Sequence, residues 1–333
     1  MNLRSRPTST LLALFLFSNL LFSVSSFARF AGQEQESSLE TPFCLSAGWP
    51  HEQSDLKPDP ALTFSRLENG LRYVTMHNDE PKGRVALHLY IQTGSLHEGE
   101  DERGLSHYLE HMLFNGSTHY PPGTLVDYFQ SIGMSYGPDT NAYTGYDETV
   151  YKLLLPNAEE KTLEDGLQVL ADYAAGALLL PEEVDKERGV ILAEKMERNS
   201  AAQRVVVKDM EQAFAGTLLA QREVLGMDKV LKTADAALLR QYYERWYRPD
   251  NMIVVAVGDA DMSQLAGLIK KQFSPLKAKS KKPACPSFGK VAEKGTEAFY
   301  QSEPDLGYTQ VTIGSVWNAE PEVFTQAAAL RQL

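Results

Sequence analysis

At 333 residues, 43% hydrophobic and 23% charged, the chain has an ordinary globular composition with room for one large or two medium domains. Its net charge of −12 argues against nucleic acid, whose phosphates need a basic surface, and disfavours an anionic membrane face. An acidic chain suits basic peptides better, although net charge alone locates no surface.

In chain order, Arg4 and Arg6, an apolar run over residues 11–24 and then Ser26-Phe27-Ala28 read as a secretory signal cleaved after Ala28. The run is too short to span a bilayer. The expectation is a soluble, exported protein, periplasmic or secreted, with residues 1–28 removed and no stable membrane span thereafter. Residues 29–56 are polar and read as a flexible leader. An oxidising compartment permits a disulfide between Cys44 and Cys285, but both lie in Pro-containing segments and no feature of the sequence brings them together.

Residues 63–67 and 71–74 flank Asn69-Gly70, which predicts a β-hairpin with a type I′ turn. Residues 85–91 form a half-apolar strand. A helix follows, with Leu105, Leu109, Met112 and Leu113 as its apolar stripe and Asn115-Gly116 as its stop. Residues 124–132 are a second helix, ended by Gly133. Residues 143–155 read as one strand, ended by Pro156, and 163–180 as a long apolar-striped segment. Pro181 suits the first turn of a helix over 182–198.

Further helices are expected over 205–219 and 234–246. Arg248-Pro249-Asp250-Asn251 is a turn, 252–257 a buried strand and 262–273 a helix. This alternation predicts an α+β fold, a mixed and largely antiparallel sheet covered by helices, over residues 57–275. Residues 276–294, rich in Lys and Pro, read as a linker. A strand-like pattern at 308–313 and a helix over 320–333 then read as the beginning of a second domain, so that the chain looks like a fragment.

The chemistry is concentrated in His107-Tyr108-Leu109-Glu110-His111. On a helix, residues i and i+4 share a face, so His107 and His111 can offer two imidazoles to one metal, with Glu110 beside them to take a proton from the metal's water. The order H-x-x-E-H is that of the inverzincins. Catalytic zinc takes three protein ligands and leaves a position for water. Glu187 and Glu194, at i and i+7 of the helix after Pro181, are candidates for the third ligand, with Glu183 and Glu197 as competitors. Spacing does not choose among them. His88, His97 and His119 read as strand or loop residues, Tyr143, Tyr146 and Tyr151 as packing or cleft residues, and Arg188 as a partner for a carboxylate.

Residues 104–117 (Gly-Leu-Ser-His-Tyr-Leu-Glu-His-Met-Leu-Phe-Asn-Gly-Ser), Asn141-Ala142-Tyr143-Thr144 with Asp147-Glu148-Thr149-Val150-Tyr151, residues 187–194 (Glu-Arg-Gly-Val-Ile-Leu-Ala-Glu) and Tyr247-Arg248-Pro249 occur in one order. Together they resemble the pitrilysin/insulysin family of zinc peptidases over roughly residues 60–275. The resemblance implies one Zn2+ per catalytic domain, held by His107, His111 and Glu194. It implies Glu110 as general base, with Glu187 orienting a histidine. It sets Asn141 and Ala142 on a strand edge where a peptide or unfolded polypeptide adds as an extra strand. It also implies that residues 295–333 open a related second domain. A distal half, in the same chain or a separate subunit, would supply further substrate-binding residues. A non-catalytic structural or partner-binding subunit of the same family is the alternative.

Overall fold

The computed structural model describes residues 48–291, 295–318 and Thr325. The expected signal peptide, most of the leader, Cys44 and, Thr325 aside, the expected helix over 320–333 lie outside the described residues. Cys285 is disulfide-bonded.

Six strands make one mixed sheet: β1 (Leu62–Arg66), β2 (Arg72–His77), β3 (Val85–Ile91), β4 (Thr140–Thr144), β5 (Thr149–Leu155) and β6 (Met252–Gly258), in the order β1-β2-β6-β3-β5-β4. All neighbours are antiparallel except β2 and β6. The helices are α1 (Leu105–Met112), α2 (Thr124–Ser131), α3 (Glu160–Ala175), α4 (Pro181–Arg198), α5 (Ala201–Ala213), α6 (Asp228–Thr233), α7 (Ala236–Trp246) and α8 (Met262–Phe273). The expected α+β class and largely antiparallel sheet are therefore present.

Side-chain alternation makes the sheet two-faced. On β3, Val85, Leu87, Leu89 and Ile91 are fully buried while Ala86, His88 and Tyr90 are half-buried. Met252, Val254 and Ala256 of β6 continue the buried face. Against it lie α3 and α8, packed on each other and on β2, β3 and β5. Local chemistry starts the helices: Ser200, Asp235 and Asp261 accept the amides of Gln203, Leu238 and Gln264, and Pro181 opens α4.

Several expectations are corrected by the structure. The first hairpin does not use a type I′ turn, because Asn69 keeps negative φ and only Gly70, at φ 92°, is left-handed. The Gly70 amide bonds Leu67 O, and Leu67 N bonds Leu71 O, so the loop is longer. The single strand over 143–155 is two strands, β4 and β5, joined at Gly145–Glu148, where the Gly145 amide bonds Glu148 O at 2.7 Å. The helix expected over 234–246 is preceded by the separate α6. The strand pattern at 308–313 forms no strand: Val311 and Ile313 are 85% and 96% exposed, and among the described residues no neighbouring strand takes up their backbone groups. Near the other end, Trp49 packs edge-on to Phe64 at 5.0 Å, and the Arg72 guanidinium lies over its ring.

Among the described residues no helix is long and apolar enough to cross a membrane.

Candidate metal centre

The site is built on α1, which enters through Gly104 in the left-handed conformation (φ 106°), where a Cβ would stand 2.9 Å from Leu231 Cδ2. The 3.6-residue period turns Leu105, Leu109 and Met112 into the core, each fully buried. His107, Glu110 and His111 occupy the side toward α4 and β4, two of the elements that α1 touches. His107 and Glu110 are themselves buried.

From α4, Glu194 reaches both imidazoles. Its Oε2 lies 3.6 Å from His107 Nε2 and 3.2 Å from His111 Nε2. The donor atoms of His107, His111 and Glu194 all lie within 4.8 Å of one another, the only such group among the described residues. Two donors bound at about 2.1 Å to one tetrahedral zinc stand roughly 3.4 Å apart. The observed separations thus fit a common ion, and two imidazoles with one carboxylate are a donor set zinc accepts. Two turns nearer the start of α4, Glu187 Oε1 accepts from His111 Nδ1 at 2.8 Å, which leaves Nε2 of that ring for a metal. Asn115 Nδ2 donates to the other Glu187 oxygen at 2.6 Å.

The charges follow from these contacts. Burial, reinforced by His111 nearby, lowers the His107 imidazole to about 4, so it is neutral at physiological pH. Burial also opposes charge on His111, but hydrogen bonds to Glu187 and Glu194 overcome it and raise this histidine to about 9. The hydrogen bond from His111 holds Glu194 down to about 2. Burial raises Glu110, against the lowering effect of a hydrogen bond from Thr144, whose Oγ1 donates to Glu110 Oε2 at 2.6 Å. Without metal, His111 is thus an imidazolium clamped between two carboxylates.

Asn141 and Ala142 lie on β4, the last strand of the sheet; Asn141 is exposed and Ala142 half-buried. Thr144, two residues on, shares the face of Ala142 and reaches Glu110, which ties this edge to the site. The other candidates go elsewhere. Glu183 pairs with Lys186, and Glu197 is exposed. Arg188 donates to Leu231 O and Asp185. His97 packs on Trp246, His119 bonds Asp172, and His88 sits on β3.

Three contributors escaped the sequence reading. Thr144 lay inside a quoted motif, but its role depends on β4 meeting α1. Arg198, whose Nη2 lies 2.6 Å from Glu194 Oε1, carried a signal in its i+4 spacing from that glutamate. Asn115, a helix stop within the 104–117 motif, gains its role only from α4 meeting α1, which brings Glu187 to it.

The model of the family described as "Insulinase (Peptidase family M16)" matches residues 73–226, and that of the "Peptidase M16 inactive domain" matches residues 233–321. A "Probable zinc protease PqqL" of Haemophilus influenzae is 38% identical over 221 residues, 66% of this chain and 24% of that protein. The protein of the same description from Escherichia coli is 39% identical over 223 residues, 67% of this chain and 24% of its own length. The chain thus spans about a quarter of the length of these curated relatives. The crystal structure of the first half of the periplasmic protease PqqL from Escherichia coli aligns with a TM-score of 0.66 and 38% identity, covering 70% of this chain and 50% of that one.

Proposed function

The chain belongs to the insulinase family of peptidases, M16, and from that premise we propose that it carries the catalytic centre of an exported zinc endopeptidase acting on peptides or unfolded polypeptide segments. The observation that carries this reading is the convergence of His107 Nε2 and His111 Nε2 on Glu194 Oε2, with Glu110 on the same helix.

His107, His111 and Glu194 would hold the ion, one per domain. Zinc there supplies a Lewis acid that polarises a carbonyl and acidifies water. Glu187 fixes the ring and tautomer of His111 through Nδ1. Glu110 is the general base: its Oε2 is engaged by Thr144, leaving Oε1 to take a proton from the attacking water and pass it to the leaving amine. Burial favours the protonated form of Glu110, which suits the second of these transfers. A substrate strand would add along β4 at Asn141 and Ala142, held by backbone hydrogen bonds that read little sequence. The similar Escherichia coli structure is that of a periplasmic protease, which supports export for this chain too. Because the chain spans about a quarter of its relatives' length, a distal-half domain or subunit is the proposed partner that completes the substrate site.

The test is to measure bound zinc and cleavage of a quenched fluorescent peptide for the wild type, Glu110→Gln and His111→Ala. Glu110→Gln should keep zinc and lose cleavage, and His111→Ala should lose both. Zinc without cleavage until a distal-half polypeptide is added would support a dependence on that half. Zinc without cleavage even then would favour a non-catalytic subunit, and no stoichiometric zinc in the wild type would sink the metal assignment.

A further inference from the structure

The eight residues of α1 carry both histidines and the base, so whatever fixes the start of this helix also sets the aim of all three. A helix of two turns is marginal on its own, and its first amides lack partners within the helix. The residue at the N-cap is Gly104, which has no side chain to supply one. The acceptor comes instead from the loop after β3. Glu98, 4% exposed, accepts the Gly104 amide on Oε2 at 2.7 Å and the Ser106 amide on Oε1 at 2.8 Å.

Glu98 is itself held. Arg222 Nε donates to its backbone oxygen at 3.1 Å, and Ser95 Oγ donates to Arg222 O at 2.7 Å. On the helix side, Ser106 Oγ bonds Tyr242 OH at 2.6 Å, and Tyr242 OH bonds Thr93 Oγ1 at 2.9 Å. The anchored amide of Ser106 precedes the first histidine by one residue. Burial opposes charge on the Glu98 carboxyl, and the Gly104 and Ser106 amides, which donate to it, work against that effect. None of the catalytic steps above uses Glu98.

We propose that Glu98 is a positioning residue for the zinc site: its buried carboxyl group bridges the amides of Gly104 and Ser106 and so fixes the start and rotational setting of α1. This rests on the zinc reading above. An acidic acceptor suits this place, because the partial positive charge of the helix start faces it. A glutamine cannot replace it, since its NH2 would be set against one of the two backbone N–H groups. The link acts through geometry. A helix whose first turn loosens lets His107, and with it the pairing of both rings with Glu194, turn out of register.

The experiment compares the wild type, Glu98→Gln and Leu268→Ala, the last a core substitution on α8. Zinc affinity is read by competition with a chelator, and hydrogen exchange is read at the amides of α1. Glu98→Gln should weaken zinc binding by about 10- to 100-fold, the usual cost of losing a group that orients a ligand, and should expose the α1 amides to exchange. Leu268→Ala, with comparable loss of thermal stability, should leave both readings at wild-type values. A Glu98→Gln protein that binds zinc like the wild type, or no more weakly than Leu268→Ala, overturns the proposal. If Glu98→Gln does not fold, Glu98→Asp, one methylene short of the two amides, takes its place with the same two outcomes. A wild type that takes up no zinc overturns the metal reading itself, and the exchange measurement still reports whether Glu98 holds α1.

Discussion

His111 Nδ1 lies 2.8 Å from Glu187 Oε1 although 76 positions separate them in the chain. This bond makes α4 more than a source of one ligand. Two carboxylates on one face of α4, at i and i+7, engage opposite nitrogens of the same imidazole: Glu187 takes Nδ1, and Glu194 faces Nε2 across the space where an ion fits.

The two glutamates should therefore fail differently. On the proposed assignment, Glu194→Ala removes a ligand, whereas Glu187→Gln only loosens one, costing about 10- to 100-fold in zinc affinity. Chelator competition on both variants checks the order; a larger loss for the Glu187 variant would reverse the ligand assignment.

Thr144→Val removes the hydroxyl bonded to Glu110 while keeping the shape of a β-branched residue. A hydrogen bond to a charged group contributes about 1.5–3 kcal/mol, so kcat should fall by roughly 10-fold or more, with zinc content and KM little changed. Thr144→Ser should restore most of the rate. Steady-state kinetics on both variants decide it, and equal rates for Val and Thr would detach this residue from the base.

The pH response has a definite sign. With no metal bound, His111 is raised from 6.5 to about 9, so the stability it contributes is full below 6.5 and is lost as pH rises through 9. Glu194 is lowered from 4.5 to about 2, so its contribution is full above 4.5 and is lost as pH falls through 2. Together the two contribute most between 4.5 and 6.5. Metal needs His111 without its proton, so zinc affinity should climb between 6.5 and 9, with about one proton released per ion at neutral pH. Calorimetry in buffers of different ionisation enthalpy measures that proton; none released would contradict the clamped imidazolium.

Leu89 on β3 is fully buried beneath the helices, whereas Val190 on α4 is 52% exposed. Leu89→Ala should cost about 3 kcal/mol and Val190→Ala about 0.5 kcal/mol or less. Urea unfolding of the two variants tests the location of the core, and a Val190 variant as damaged as the Leu89 one would displace it.

The parts of the site legible from sequence were those encoded over a few residues. The i, i+4 repeat of His107 and His111 with the apolar positions Leu105, Leu109 and Met112 specifies a helix with its ligands on one side, since a 3.6-residue period needs no partner to express itself. Pro181 and the i, i+7 glutamates did the same for α4. Turn chemistry was less decisive: Asn69-Gly70 announced a hairpin but not its loop, and Gly145 split a run that composition alone left continuous.

Pairing across the fold was not encoded locally. The late strand β6 lies between β2 and β3 because its buried face completes the layer under α3 and α8. The strand-like residues near 311 remain unpaired among the described residues. Spacing left four glutamates as rivals for the third ligand, and the resemblance favoured Glu194; the packing of α4 on α1 brought that oxygen to both imidazoles. The same packing of remote elements brought Thr144 to Glu110 and Glu98 to the amides of α1. The sequence alone determined that His107, Glu110 and His111 share one side of one helix, because a 3.6-residue period is a local property. Their distances were decided only by tertiary packing, because a side chain's partner depends on how whole elements settle against a common core.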